Sequence, residues 1–113
     1  MNEYQRIVCC TRDLRLGDRI VKVTIYNPYL HDHHDEEFWC EYEISQPISK
    51  SSYAIGGDSA QALILAMQKV GVDLYASENY KNGLLTWPGG MVAGDLGFPV
   101  PRNVNDLLPV EMR

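Results

Sequence analysis

Apolar and polar residues alternate along the first half of this chain, and the period then changes from two to that of a helix. From Arg19 to Tyr26, Val21, Val23 and Ile25 alternate with Lys22, Thr24 and Tyr26, the mark of a half-buried strand. Tyr4 to Arg12 reads as a strand before it, with Tyr4, Arg6, Val8 and Cys10 on one face and Ile7 and Cys9 on the other. Arg15-Leu16-Gly17-Asp18 supplies the turn between them, so the two should pair antiparallel. Asn27-Pro28 ends the second strand, since Pro cannot donate to a ladder. His31 to Glu37 reads as a polar loop. Phe38 to Ser45 is a third strand, with Phe38, Cys40, Tyr42 and Ile44 facing one way and Trp39, Glu41 and Glu43 the other. Gln46-Pro47 breaks it, and Ser51 to Ile55 makes a short fourth strand with Tyr53 and Ile55 turned inward.

The helical period begins at Gly56-Gly57-Asp58-Ser59. Asp58 is placed to accept from the backbone N–H of Gln61, and the Gln61 side chain to reach back to the N–H of Asp58, a capping box with Asp in the first position. Ala60, Leu63, Ile64, Met67, Val70, Gly71 and Leu74 then recur at helical spacing as one apolar stripe. One such helix cannot bury its own stripe, so the strands must supply the partner surface. Beyond it the pattern weakens. Asn82-Gly83 and Pro88-Gly89-Gly90 are turns, and Leu84 to Trp87 is a short strand or an apolar flap. Met91 to Arg113 carries three prolines yet keeps Leu96, Phe98, Val100, Leu107, Leu108 and Val110, so it should dock on the core, with one helical turn near Asn103 or Asn105. The expected fold is α+β: a four-stranded antiparallel meander with one long helix packed on one face and an irregular C-terminal wrap, a single domain over residues 1–113.

Size and composition fit that picture. A chain of 113 residues has the usual size of one domain and buries about two-thirds of its unfolded surface, enough for a core without staples. Met-Asn-Glu-Tyr-Gln-Arg shows no basic region followed by an apolar stretch, so no signal peptide is expected, and no apolar run approaches the ~20 residues of a membrane helix. Cys9, Cys10 and Cys40, an odd number with an adjacent pair, do not form a disulfide framework; reduced thiols and a cytoplasmic setting are expected.

Charge changes the picture more. The net charge of −5 argues against general nucleic-acid binding, which depends on cations neutralising phosphates. Between Lys22 and Lys50 there is no Lys or Arg, while Asp32, Asp35, Glu36, Glu37, Glu41 and Glu43 all fall there. Acids around aromatic anchors suit capture of a basic protein. Tyr29, Asp32, Asp35, Glu36, Glu37, Trp39, Glu41 and Glu43 are therefore the candidate partner-binding residues, although a solvated outer sheet face accounts for the same alternation.

Other chemistry is weaker. His31-Asp32-His33-His34-Asp35-Glu36-Glu37 holds metal-ligating residue types, but its spacing matches no H-E-x-x-H helix, and a solvated loop explains it. Cys9-Cys10 lacks a base at a recognisable position, and buried thiols are common. Gly56-Gly57-Asp58-Ser59 lacks the P-loop Lys, and Asp58 would repel a phosphate, so the stretch reads as a capped turn. No catalytic constellation and no cofactor motif emerges.

Gly57-Asp58-Ser59-Ala60-Gln61-Ala62-Leu63, Leu85-Thr86-Trp87-Pro88-Gly89-Gly90 and Gly94-Asp95-Leu96-Gly97-Phe98-Pro99-Val100-Pro101 together resemble a family of small bacterial proteins of unknown function, with a G-x-D-S-x-Q-A-L helix start and a late D-L-G-F-P element. The resemblance implies a strand meander before the helix and a bacterial cytoplasmic origin, and brings no catalytic residues. The expectation is a non-enzymatic binding protein of immunity type that occludes the active site of a basic toxin domain, with no cofactor, nucleic acid or membrane involved. The alternatives are a small metal-dependent enzyme using the His31–His34 loop, and a small-molecule sensor with a pocket around Trp87 and Phe98.

Overall fold

The computed structural model describes residues 6–31 and 34–113, with the side chains of all of these except His34 and Asp35. The order of elements is β1 (Val8–Leu16), β2 (Arg19–Tyr26), β3 (Tyr29–His31), β4 (His34–Ile44), β5 (Lys50–Gly56), α1 (Ser59–Tyr75), α2 (Glu78–Lys81) and β6 (Leu85–Thr86). All strand pairings are antiparallel, in one six-stranded sheet instead of the expected four. β4 lies at its centre. β5 runs along one edge of β4 from Phe38 to Ile44; β2 and β3, separated only by Asn27-Pro28, share the other. β5 is therefore an outer strand, and β6 closes the opposite side against Arg15 and Leu16.

Alternation dictates what each face carries. Leu14, Val21, Val23, Ile25, Cys40, Tyr42 and Ile44 point to one side and are buried, as the period of two in β2 and β4 requires. α1 covers that side. Its N-cap works as predicted at Asp58, whose Oδ1 accepts from Gln61 N at 2.7 Å. The return bond is shifted by one residue: Gln61 Oε1 accepts from Gly57 N at 2.6 Å, not from Asp58. The buried stripe is Ala62, Ala66, Val70, Gly71, Leu74 and Tyr75, so the helix is rotated from the predicted face and Ile64 is left 54% exposed. Small side chains explain the rotation. Ala62 and Ala66 let the helix lie close on β4 and β5, and a Cβ on Gly56 would collide with the backbone of Ala62. Tyr42 Oη, near the C-terminal end of β4, donates to the Asp73 carboxylate and ties helix to sheet.

Three other strand expectations need correction. The first strand is Val8–Leu16, not Tyr4–Arg12, and Tyr4 lies outside the described residues. Its register shifts between Val8 and Cys10, so Cys9 is an extra residue that reverses the alternation. Arg6 and Cys10, expected on one face, consequently lie on opposite ones. The turn is only Gly17-Asp18, with Gly17 at φ +63°. The predicted polar loop His31–Glu37 is largely strand, because β3 and the start of β4 form a hairpin; Asp32 and His33 fall outside the described residues. In β5 the parity is opposite to expectation. Ala54 and Gly56 face the helix, whereas Tyr53 and Ile55 are 42% and 41% exposed.

Beyond α1, Leu85–Thr86 forms a short strand, the first of the two forms expected for this stretch, and the irregular tail holds two 3₁₀ turns, Arg102–Leu107 and Val110–Met112, capped by no Asn side chain. The tail is docked at Leu96 and Phe98, while Val110 is exposed. Asp95, 4% exposed, accepts from Met91 N at 2.9 Å and from Gly97 N at 2.7 Å. Leu96 N donates to Tyr75 Oη at 2.8 Å, and Tyr80 Oη to the Gly94 carbonyl at 2.8 Å. Arg12 reaches from β1 between the rings of Trp87 and Phe98, at 3.9 and 4.8 Å from their centroids. Gly71 is the contact point on the helix, where an added Cβ would overlap the Pro99 carbonyl.

Gly71→Ala tests this docking. Helix propensity alone favours Ala by about 1 kcal/mol. The overlap should reverse the sign and give a net loss of about 1–3 kcal/mol in urea unfolding. A gain in stability would mean that the Pro99 segment does not rest on the helix.

Candidate functional site

The sheet face opposite α1 carries no covering element among the described residues, and it is where most of the predicted binding residues gather. β4 turns Glu37, Trp39, Glu41 and Glu43 onto it. Pairing sets Tyr29 beside Trp39 from β3, and Tyr53 and Ile55 beside Glu41 and Trp39 from β5. The Trp39 indole stacks on the Tyr53 ring, with centroids 4.4 Å apart and planes within 9°. The His31 ring lies 4.4 Å from Trp39 at an interplanar angle of 31°, making a three-ring row across β3, β4 and β5. Such cross-strand aromatic contacts contribute roughly 0.2–1 kcal/mol each and stiffen the face they occupy.

The acids around this row are held in place. Glu37 Oε1 accepts from Trp39 Nε1 at 3.2 Å. Glu41 Oε2 accepts from Tyr29 Oη at 2.6 Å, and its Oε1 lies 2.9 Å from Arg6 Nε. The same guanidinium pairs with Glu43 and lies 4.8 Å from the centroid of the Tyr26 ring. The Glu43 hydrogen bond is the main cause that raises the Arg6 pKa above the ordinary arginine value, with burial opposing it. These are half-exposed pairs, worth about 0–1 kcal/mol each.

The predicted site residues thus separate. Tyr29, Glu37, Trp39, Glu41 and Glu43 are brought together. Glu36 is exposed, but strand alternation sends it to the face of Phe38 and Cys40. Asp32 lies outside the described residues, as does the side chain of Asp35. Three participants went unseen in the sequence. Arg6 returns positive charge to a stretch that has none of its own. Tyr53, inward by its hydrophobicity alone, faces out because the small Ala54 and Gly56 take the positions under the helix, and that pair of small residues is the signal for it. His31 joins an aromatic row instead of a loop.

No group of three or more His, Cys, Asp or Glu suited to a metal ion occurs among the described residues, which exclude His33 and the His34 side chain. Burial, then the neighbouring Cys9, push the Cys10 thiol up, away from the thiolate a nucleophile needs. The N–H groups of Gly57 and Gln61 at the start of α1 are already taken by the cap.

A small α+β protein with one sheet face covered by a helix and the other open and aromatic is what fold and face define. Residues 10–100 match the family model DUF6968, a domain of unknown function, and the chain belongs to that family. No curated protein and no solved structure matches it. No helix among the described residues is long and apolar enough to cross a membrane.

Cys40, fully buried with its Sγ 3.3 Å from the Tyr26 carbonyl, has its pKa pushed up to about 12, chiefly by burial. The unfolded thiol ionises near pH 9 while the folded one keeps its proton, so the unfolded state binds fewer protons and stability falls as pH rises from about 9 toward 12. Tyr42, raised by burial and by Asp73, acts in the same direction above pH 10. Urea midpoints measured from pH 8 to 11 should therefore decline, with a contribution from Cys40 of no more than roughly 1.4 kcal/mol per pH unit. The decline should be shallower in Cys40→Ala. Parallel curves for the two proteins would mean that Cys40 titrates like an exposed thiol.

Proposed function

We propose that the open sheet face is a docking surface for a basic protein and that the chain is a small, non-enzymatic bacterial binding protein. More specifically, we read it as an immunity-type protein that covers the active-site cleft of a cognate toxin. The observation that supports this reading is the Trp39–Tyr53 stack, left uncovered and bordered by Glu37, Glu41 and Glu43. Rigid aromatic anchors lose little conformational entropy on binding and account for a large share of interface hot spots. Carboxylates at their rim steer a cationic partner and exclude acidic ones.

Arg6 shapes how the face would work. It already occupies Glu41 and Glu43, so long-range attraction is weaker than the local run of acids suggests. A partner's Lys or Arg either displaces the Arg6 guanidinium or adds to Glu37. Affinity then rests on Trp39 and Tyr53, and charge acts mainly on the rate of encounter.

Capture of the partner from the native cell, followed by kinetics with purified components, tests the reading. The captured protein should carry an excess of Lys and Arg at its active site, and its activity should fall on binding. Trp39→Ala should weaken the complex by about 2 kcal/mol or more, mostly through faster dissociation. The double reversal Glu41→Lys and Glu43→Lys should slow association and flatten its salt dependence. If both variants bind as the parent does, the open face is not the docking surface.

A further inference from the structure

On the other side of the sheet, between β1, β2, α1 and the tail, lies a cavity of about 130 Å³. Val23 and Ile25 form its sheet wall, Met67 comes from the helix, and Phe98 and Pro99 from the tail. Arg12 is its one charged lining residue. Its guanidinium is pinned between Trp87 and Phe98, and Nη1 donates to the Gly97 and Leu96 carbonyls at 2.8 and 3.3 Å. Among the described residues no carboxylate pairs with it. The buried acid nearby, Asp95, spends both oxygens on backbone N–H groups. Nη2 and Nε thus remain, two donors in the fork geometry that matches a carboxylate.

We infer that this cavity is a binding site for a small monocarboxylate with an apolar body, of the order of four to seven carbons. Size sets that bound. The volume is well below the ~300 Å³ at which drug-sized ligand pockets begin. It is close to the ~150 Å³ of an apolar cavity known to admit benzene. Chemistry sets the rest: an apolar wall on three sides takes the hydrocarbon, and the fixed cation takes the charge. The tail that forms one wall of the cavity is held by Arg12 itself, so a carboxylate there also bears on how firmly residues 87–99 dock. The site shares no residue with the open face and stands or falls independently of the docking reading.

Isothermal titration of the full chain with benzoate and butyrate, each against its neutral amide, tests the inference. At least one acid should bind saturably at one per chain, and its amide at least tenfold more weakly. Amide NMR shifts should cluster at Cys10–Arg12 and Gly97, away from Arg6, Trp39 and Tyr53. Arg12→Gln should lower the affinity at least tenfold, with Arg12→Lys in between. The wild-type acid-to-amide comparison decides the matter even if the Arg12 variants fold poorly. Failure of both acids to bind, equal binding of acid and amide, or shifts centred on the outer face would each overturn the assignment.

Discussion

The burial of one edge-to-edge row on β4 governs everything else in this molecule. Cys40, Tyr42 and Ile44 must lie under α1, and in a strand that choice leaves no freedom for their neighbours. Trp39, Glu41 and Glu43 are thereby forced onto the opposite face. A slip of one residue would exchange the two sets and bury two carboxylates. The Tyr42–Asp73 bond guards against such a slip, since only the native register lets the phenol meet the helix. The open aromatic face is thus a consequence of core packing, fixed before any partner is considered.

What the sequence disclosed, and what it hid, divides along the reach of the forces involved. β2 and the Asp58 cap depend on residues within a few positions of one another, and both were legible. The inward set of β4 was legible for the same reason. β5 was not, because its parity is decided by distant neighbours. Ala54 and Gly56 are small so that α1 can approach, and the aromatic Tyr53 is outside because Trp39 is there to stack on it. Hydrophobicity alone pointed the wrong way. The rotation of α1 has the same origin, since Ala62 and Ala66 rank low as apolar residues yet sit at the closest approach. Likewise, a run of His and acids looked like a loop because a short hairpin with one exposed face needs few apolar residues.

The charge bias of residues 23–49 illustrates a second limit. A stretch without Lys or Arg is a statement about the chain, while a surface potential is a statement about space. Arg6 lies 35 and 37 positions from Glu41 and Glu43, and pairs with both. Lys22 similarly meets Asp13 on the outer face at 2.8 Å. Tyr29, Glu37, Trp39, Glu41 and Glu43 stay together on the face, but the face loses part of its field. That shifts the expected weight of binding from the carboxylates to the rings.

The extra residue at Cys9 joins these observations. Without it, Arg6 and Arg12, six positions apart in a strand, would project to the same side. With it, the alternation is reversed between them, and one arginine is delivered to each face of the sheet. Their surroundings then diverge. Arg6 meets two carboxylates and the Tyr26 ring in the open, where its charge is balanced locally. Arg12 meets two rings and two carbonyls beside an apolar cavity, where no acid among the described residues pairs with it. A guanidinium tolerates that environment better than an ammonium does, because its charge is delocalised and its flat faces stack. The same bulge that ends simple pairing at the start of β1 therefore separates a neutralised arginine from an unneutralised one, and it is the latter that retains donors for an anion from outside the chain.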